Sequence, residues 1–196
     1  MANFSVAYLL LSKVEFGDNP QKFLHVNQGE DGWTIGGIYQ LYNKDVIDWK
    51  FIREVLEVCG YDAERAEVFE YEVERASVML YADTLIKQSV FNYFRKEYWD
   101  KILLDEVKDQ SKANNIFLSG VHIGIRNAVK LAQKVVQVQQ DGFIGQYTLK
   151  ALNNYHEQLF KTHFDKLEID NYNSLIKRNP NLAWAQNGFL NRAYAV

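Results

Sequence analysis

Proline occurs only at positions 20 and 180 of this 196-residue chain. Proline removes a backbone donor and interrupts a helix, so nearly everything between those positions is free to be helical. Apolar residues there recur at helical spacing, as in Ala128, Leu131, Ala132, Val135 and Val138. The expected fold class is therefore mainly α, with one irregular stretch, FGDNPQKFLHVNQGEDGWTIGGIY, placed early.

The first helix is expected over about 4–14, ended by Asp18, Asn19 and Pro20. The next 18 residues or so read as an ordered loop, with a short hairpin over 33–38. A helix over 48–58 ends at Gly60, and Asp62 is placed to cap a long helix starting near Ala63, with Val68, Phe69, Val73, Ala76, Met79 and Leu80 as its apolar members. Further helices are expected over 87–100 with an extension to about 109, then 114–120, 126–139, 147–160 and 170–177. No low-complexity linker interrupts them, so the chain reads as two lobes, 1–92 and 93–196.

Composition narrows the function. A net charge of -3 offers no basic excess for nucleic acid. Cys59 is the single cysteine, so the fold cannot depend on an intrachain disulfide, and it has no neighbouring histidine in sequence to activate it as a nucleophile. The apolar run 7–11 is short and followed directly by Lys13 and Glu15, without the length of a membrane span or the pattern of a signal peptide. The expectation is synthesis in the cytoplasm without stable membrane insertion. Histidines at 25, 122, 156 and 163 show no zinc spacing, and Gly36-Gly37 lacks the lysine of a phosphate-binding loop, so no metal or other cofactor is expected. The 12 Phe, 12 Tyr and 4 Trp exceed what a core needs and leave candidates for stacking in a groove.

Glu15 carries the sharpest chemical expectation. It ends an apolar helix and faces a loop rich in hydrogen-bonding groups. A carboxyl enclosed by apolar neighbours stays protonated near neutral pH and can give its proton to a leaving oxygen, as glycosidic cleavage requires. The plain alternative is an exposed acid at a helix end. The loop offers Glu30 or Asp31 as a second carboxylate and Thr34 to orient water, while His25, Asn27 and Tyr39 are candidates for substrate contact. Asp31-Gly32 is equally a good turn pair.

These residues resemble the N-acetylmuramidases of glycoside hydrolase family 108, phage-type peptidoglycan lysozymes whose relatives include secretion activators. That family opens with a glutamate and two glycines, followed by Gly-Gly-x-Thr-x-x-Gly-Ile. The matching stretches here are Glu15-Phe16-Gly17 and Asp31-Gly32-Trp33-Thr34-Ile35-Gly36-Gly37-Ile38. KEYWDKI at 96–102 is similar to the family's Tyr-Trp-Asp helix, and NGFLNR near the end to its Gly-Trp-Leu-Asn-Arg pattern. VQQDGFIGQYTLKALN is similar to its C-terminal peptidoglycan-binding segment, with Asp141, Gly142, Gly145 and Thr148 at the motif positions. Phe16 stands where the family has a glycine, Asp31 where it has another, and the loop from Glu15 to Thr34 is longer. The middle segment, 49–89, is acidic and resembles nothing specific.

The resemblance implies a lysozyme-like helical fold and Glu15 as the acid that cleaves the β-1,4 bond between N-acetylmuramic acid and N-acetylglucosamine. Glu30 or Asp31 would assist, and Thr34 would line the site. Tyr98 and Trp99 are candidates for the groove, although one of such a pair turns inward and Trp99 is the favoured core member. Asp141, Gly142, Gly145 and Thr148 are either a folding motif or a contact to the wall. The partner implied is bacterial peptidoglycan, reached in the periplasm or at the wall after release through a holin or another pore. The alternative is a non-catalytic wall-binding or secretion-accessory protein.

Overall fold

The computed structural model describes residues 1–17, 19–27, 31–65 and 68–180. It is mainly α with one small antiparallel sheet. In chain order the elements are α1 (Phe4–Glu15), β1 (Leu24–His25), β2 (Thr34–Ile35), β3 (Ile38–Tyr39), α2 (Trp49–Val58), α3 (Glu70–Ala82), α4 (Thr84–Phe94), α5 (Gln110–Ile123), α6 (Ile125–Val135), α7 (Gln146–Asn154) and α8 (Glu157–Arg178). Among the described residues, no helix is long and apolar enough to cross a membrane. The chain divides into two units, one of residues 12–94 and one joining 1–11 to 95–196.

In the 12–94 unit, β2 lies between β1 and β3. Leu24, Ile35 and Ile38 oppose one another across the strands, and all three are buried. His25, Thr34 and Tyr39 form the alternate row, as the two-residue period of a strand requires. Gly36 and Gly37 join β2 to β3 with φ of 54° and 86°. Two consecutive left-handed residues make the tight hairpin turn whose twist suits the strands, and glycine adopts it without a side-chain penalty. A Cβ on Gly36 would meet Val90 Cγ1 at 2.8 Å and Phe23 Cε2 at 2.9 Å, so the turn is pressed into the core. Phe16 is buried in an edge-to-face cluster with Phe23 and Tyr81, at ring-centroid distances of 5.4 and 6.2 Å.

The start of α3 differs from the expected Ala63. Asp62 spends its carboxylate on a local turn, accepting from Glu64 N at 2.9 Å, and α3 begins only at Glu70, after Phe69. The Asp62 signal was a turn rather than a helix cap. Two distant contacts then fix the helix. Arg65 pairs with the buried Glu72 at 2.5 Å while its guanidinium lies over the Phe69 ring. The buried Ser77 hydroxyl accepts from Leu24 N at 2.8 Å and donates to the Pro20 carbonyl at 2.5 Å.

The other unit is built on an aromatic core in which Phe4, Trp99 and Phe117 meet edge to face at 5.5–5.7 Å. Trp99 Nε1 donates to Asp105 at 2.8 Å, which satisfies the buried indole. The expected helix over 147–160 is two helices. Buried Lys112 reaches the end of α7 and donates to the Leu152 and Tyr155 carbonyls at 2.9 and 2.5 Å, and the chain restarts as α8. This cation at a helix C-terminus satisfies carbonyls that would otherwise continue the helix. On α8, burial pushes the carboxyl of Glu168 above its usual range, and nearby Asp165 adds to the rise while a hydrogen bond from the Tyr172 hydroxyl opposes it.

Candidate active site

Glu15 is the last residue of α1 and is half-buried. The Gly36-Gly37 turn lies against it. A Cβ on Gly37 would stand 3.6 Å from both Cγ and Oε2 of Glu15 and 3.4 Å from the Phe94 ring. The hairpin backbone therefore approaches the acid closely because no side chain intervenes. Phe16, next in sequence, points into its aromatic cluster and fills the core, while Glu15 lines the groove.

That groove has a volume of about 560 Å³, within the range of small-ligand sites. One stretch of its lining runs through Glu15, Asn19, Gln21, Lys22, Leu24, His25 and Val26. The other comes from the segment entering α3 and its first turns, with Val68, Glu70, Val73 and Glu74. Asn19 caps the short turn Pro20–Lys22 by accepting from Gln21 N at 3.0 Å, which fixes the backbone of the first stretch. His25 Nδ1 donates to the Lys22 carbonyl at 3.0 Å, since a carbonyl only accepts.

The candidates separate as follows. Glu15 and His25 share the groove lining. Thr34 is buried opposite His25 in the sheet, and Tyr39, half-buried, opposes Thr34. Asn27 and Asp31 are exposed and are not among the groove-lining residues. Glu30 lies outside the described residues, as does the NGFLNR segment. In the other unit Tyr98 is half-buried, whereas Trp99 has no exposed surface and is a core residue. Sequence reasoning did not single out Glu70, Glu74 or Lys22. Glu70 and Glu74 sit four apart on one face of α3, and what the sequence does not show is that this face lines the groove of Glu15.

The Asp141–Thr148 motif is a hydrogen-bonded knot around Gln133, which is fully buried on α6. Gln133 Nε2 donates to Asp141 Oδ1 at 2.7 Å, to the Phe143 carbonyl at 2.9 Å and to Thr148 Oγ1 at 3.2 Å, while Gln133 Oε1 accepts from Gly142 N at 2.9 Å. The Gln133 bond, then that from Phe143 N, holds the Asp141 carboxyl below its ordinary range. Gly142 has φ of 82° and leaves no space for a side chain, since a Cβ would lie 2.5 Å from Arg126 Cγ. Gly145 precedes α7 with open space around it. Between these tied residues, the rings of Phe143 and Tyr147 are exposed.

The fold has a solved counterpart. The chain is similar in fold to the structure of Brucella abortus SagA, with a TM-score of 0.59 over 98% of this chain and 92% of that one, at 22% sequence identity. No protein-family model and no curated protein matches the sequence. The likeness to SagA spans both units.

Proposed function

We propose that this chain is a peptidoglycan hydrolase of the N-acetylmuramidase type, with Glu15 as its general acid. The observation that carries the reading is the placement of Glu15, half-buried at the end of α1, against the Gly37 backbone and open to a groove of about 560 Å³. The sequence resemblance to family 108 and the fold likeness to SagA support it. Glu15 gives its proton to the oxygen linking N-acetylmuramic acid to N-acetylglucosamine as that bond breaks. Water completes the hydrolysis, and the chemistry needs no metal or organic cofactor. The substrate, bacterial peptidoglycan, places the site of action at the cell wall.

A wall-binding accessory role is the second reading, and the exposed rings of Phe143 and Tyr147 favour it, because flat aromatic faces stack on sugars without catalysing anything. Release of reducing ends from purified peptidoglycan separates the two. Wild type is expected to release them, and Glu15→Gln to slow that release about a hundred- to ten-thousand-fold while still sedimenting with the wall. Cleavage that survives Glu15→Gln removes the assigned acid. Binding without any cleavage by wild type favours the accessory reading.

A further inference from the structure

We propose that Glu74 is the second catalytic carboxylate, acting on water in the groove that Glu15 lines. This rests on the hydrolase reading above and adds a residue from the acidic middle segment that the resemblance leaves unexplained.

Three glutamates open α3, and the helix sends them to different places. Glu72 turns inward, 2% exposed, and pairs with Arg65. Glu70 and Glu74 are four residues apart and line the groove together with Val73. Neither has an ion-pair or hydrogen-bond partner among the described residues. Among the described residues, the carboxylates lining the groove are Glu15, Glu70 and Glu74. Asp31, the described alternative from the loop, is exposed and not among them.

Position selects Glu74 over Glu70. Ser77, one turn further along α3, grips the Pro20 carbonyl and the Leu24 amide, and the stretch between those two forms part of the facing lining. Of the two groove-lining acids of α3, Glu74 is the nearer to Ser77 along the helix, and the Arg65–Glu72 pair holds the same turn from the inner side. The side chain of Glu74 is half-buried, while Glu70 is exposed at the helix start. A base that meets water beside a sugar needs a fixed backbone and partial enclosure, and Glu74 has both.

The step balances as a single displacement. Glu74 takes one proton from a water molecule as its oxygen bonds to the anomeric carbon. The bond from that carbon to the bridging oxygen breaks, and the bridging oxygen takes the proton of Glu15. The two carboxyl groups then exchange protons with solvent. Attack by water from the face opposite the leaving group gives a product of inverted configuration.

The test compares wild type with Glu74→Gln, Glu70→Gln and Glu74→Ala on purified peptidoglycan, with thermal unfolding and wall sedimentation recorded for each. Glu74→Gln is expected to lose about a hundredfold or more in turnover with unchanged melting and sedimentation, and Glu70→Gln to stay near wild type. Azide ion, a nucleophile that needs no base, is expected to restore turnover to Glu74→Ala and to yield a glycosyl azide of inverted configuration. Glu74→Gln at wild-type rate, a larger loss in Glu70→Gln, a product of retained configuration, or a loss that tracks unfolding each overturns the assignment while leaving Glu15 in place. A wild type that cleaves nothing overturns this inference and the hydrolase reading together.

Discussion

The Gly36-Gly37 hairpin and the Asp141–Thr148 loop both combine left-handed glycine with a nearby buried threonine, yet they dispose of their polar groups in opposite ways. Around Gln133, the carboxylate of Asp141, the amide of Gly142, the carbonyl of Phe143 and the hydroxyl of Thr148 are all consumed by one side chain. Around Gly37, the missing side chain gives Glu15 room beside a groove, and that groove also holds two glutamates with no described partner. A motif whose groups satisfy one another is a folding device. A motif that positions an acid at a cavity is equipped for chemistry.

That contrast predicts that damage to the two regions will read out differently. Glu15→Gln carries the largest expected effect, the hundred- to ten-thousand-fold loss of cleavage already described, with thermal stability kept. Gln133→Ala should do the reverse. It strands the buried Thr148 hydroxyl and Gly142 amide, costing about 2–4 kcal/mol in denaturant unfolding, and leaves the cleavage rate of folded protein unchanged. The same substitution should return the Asp141 carboxyl toward its ordinary titration, followed by NMR, because the Gln133 bond is the main cause of its depression. A Gln133→Ala protein that keeps its stability but loses wall binding would make the knot a binding site and erase the contrast.

Gly36→Ala sharpens the comparison from the other side. The left-handed backbone alone costs a residue with a Cβ about 1–2 kcal/mol, and the contacts with Val90 and Phe23 add to it. The expected result is a lower melting point with activity falling in step, since the turn positions Glu15. The smallest effect concerns Glu168. Its folded carboxyl binds a proton more readily than the unfolded one, so stability falls as pH rises from the ordinary carboxylate range through the raised value. Glu168→Gln should therefore melt higher than wild type near neutral pH, with the difference shrinking as the pH is lowered. A constant difference across pH would mean that the Glu168 carboxyl titrates alike in the folded and unfolded chain.

Much of this architecture was legible locally. The apolar spacing of α1 and α6 and the cap of α2, where Asp48 accepts from Phe51 N at 3.0 Å, can be read residue by residue. The end of α7 cannot, because no glycine or proline marks it and Lys112, 40 residues earlier, supplies the interaction that ends it. The candidate site divides along the same line. Glu15 and its hairpin are neighbours in sequence and were readable together. Glu74 was hidden because it meets the groove of Glu15 through tertiary contacts such as those of Ser77 with Pro20 and Leu24, more than 50 residues away in sequence.

The Ser77 clamp has a consequence for the order in which the molecule is made. Its two hydrogen bonds span 53 and 57 residues of chain, so the groove is completed by closing a long loop rather than by local folding. During N-to-C synthesis the acid and its hairpin are made before Glu74 and Ser77 exist. A nascent chain therefore carries Glu15 with nothing facing it, and the groove is assembled only once translation has passed α3.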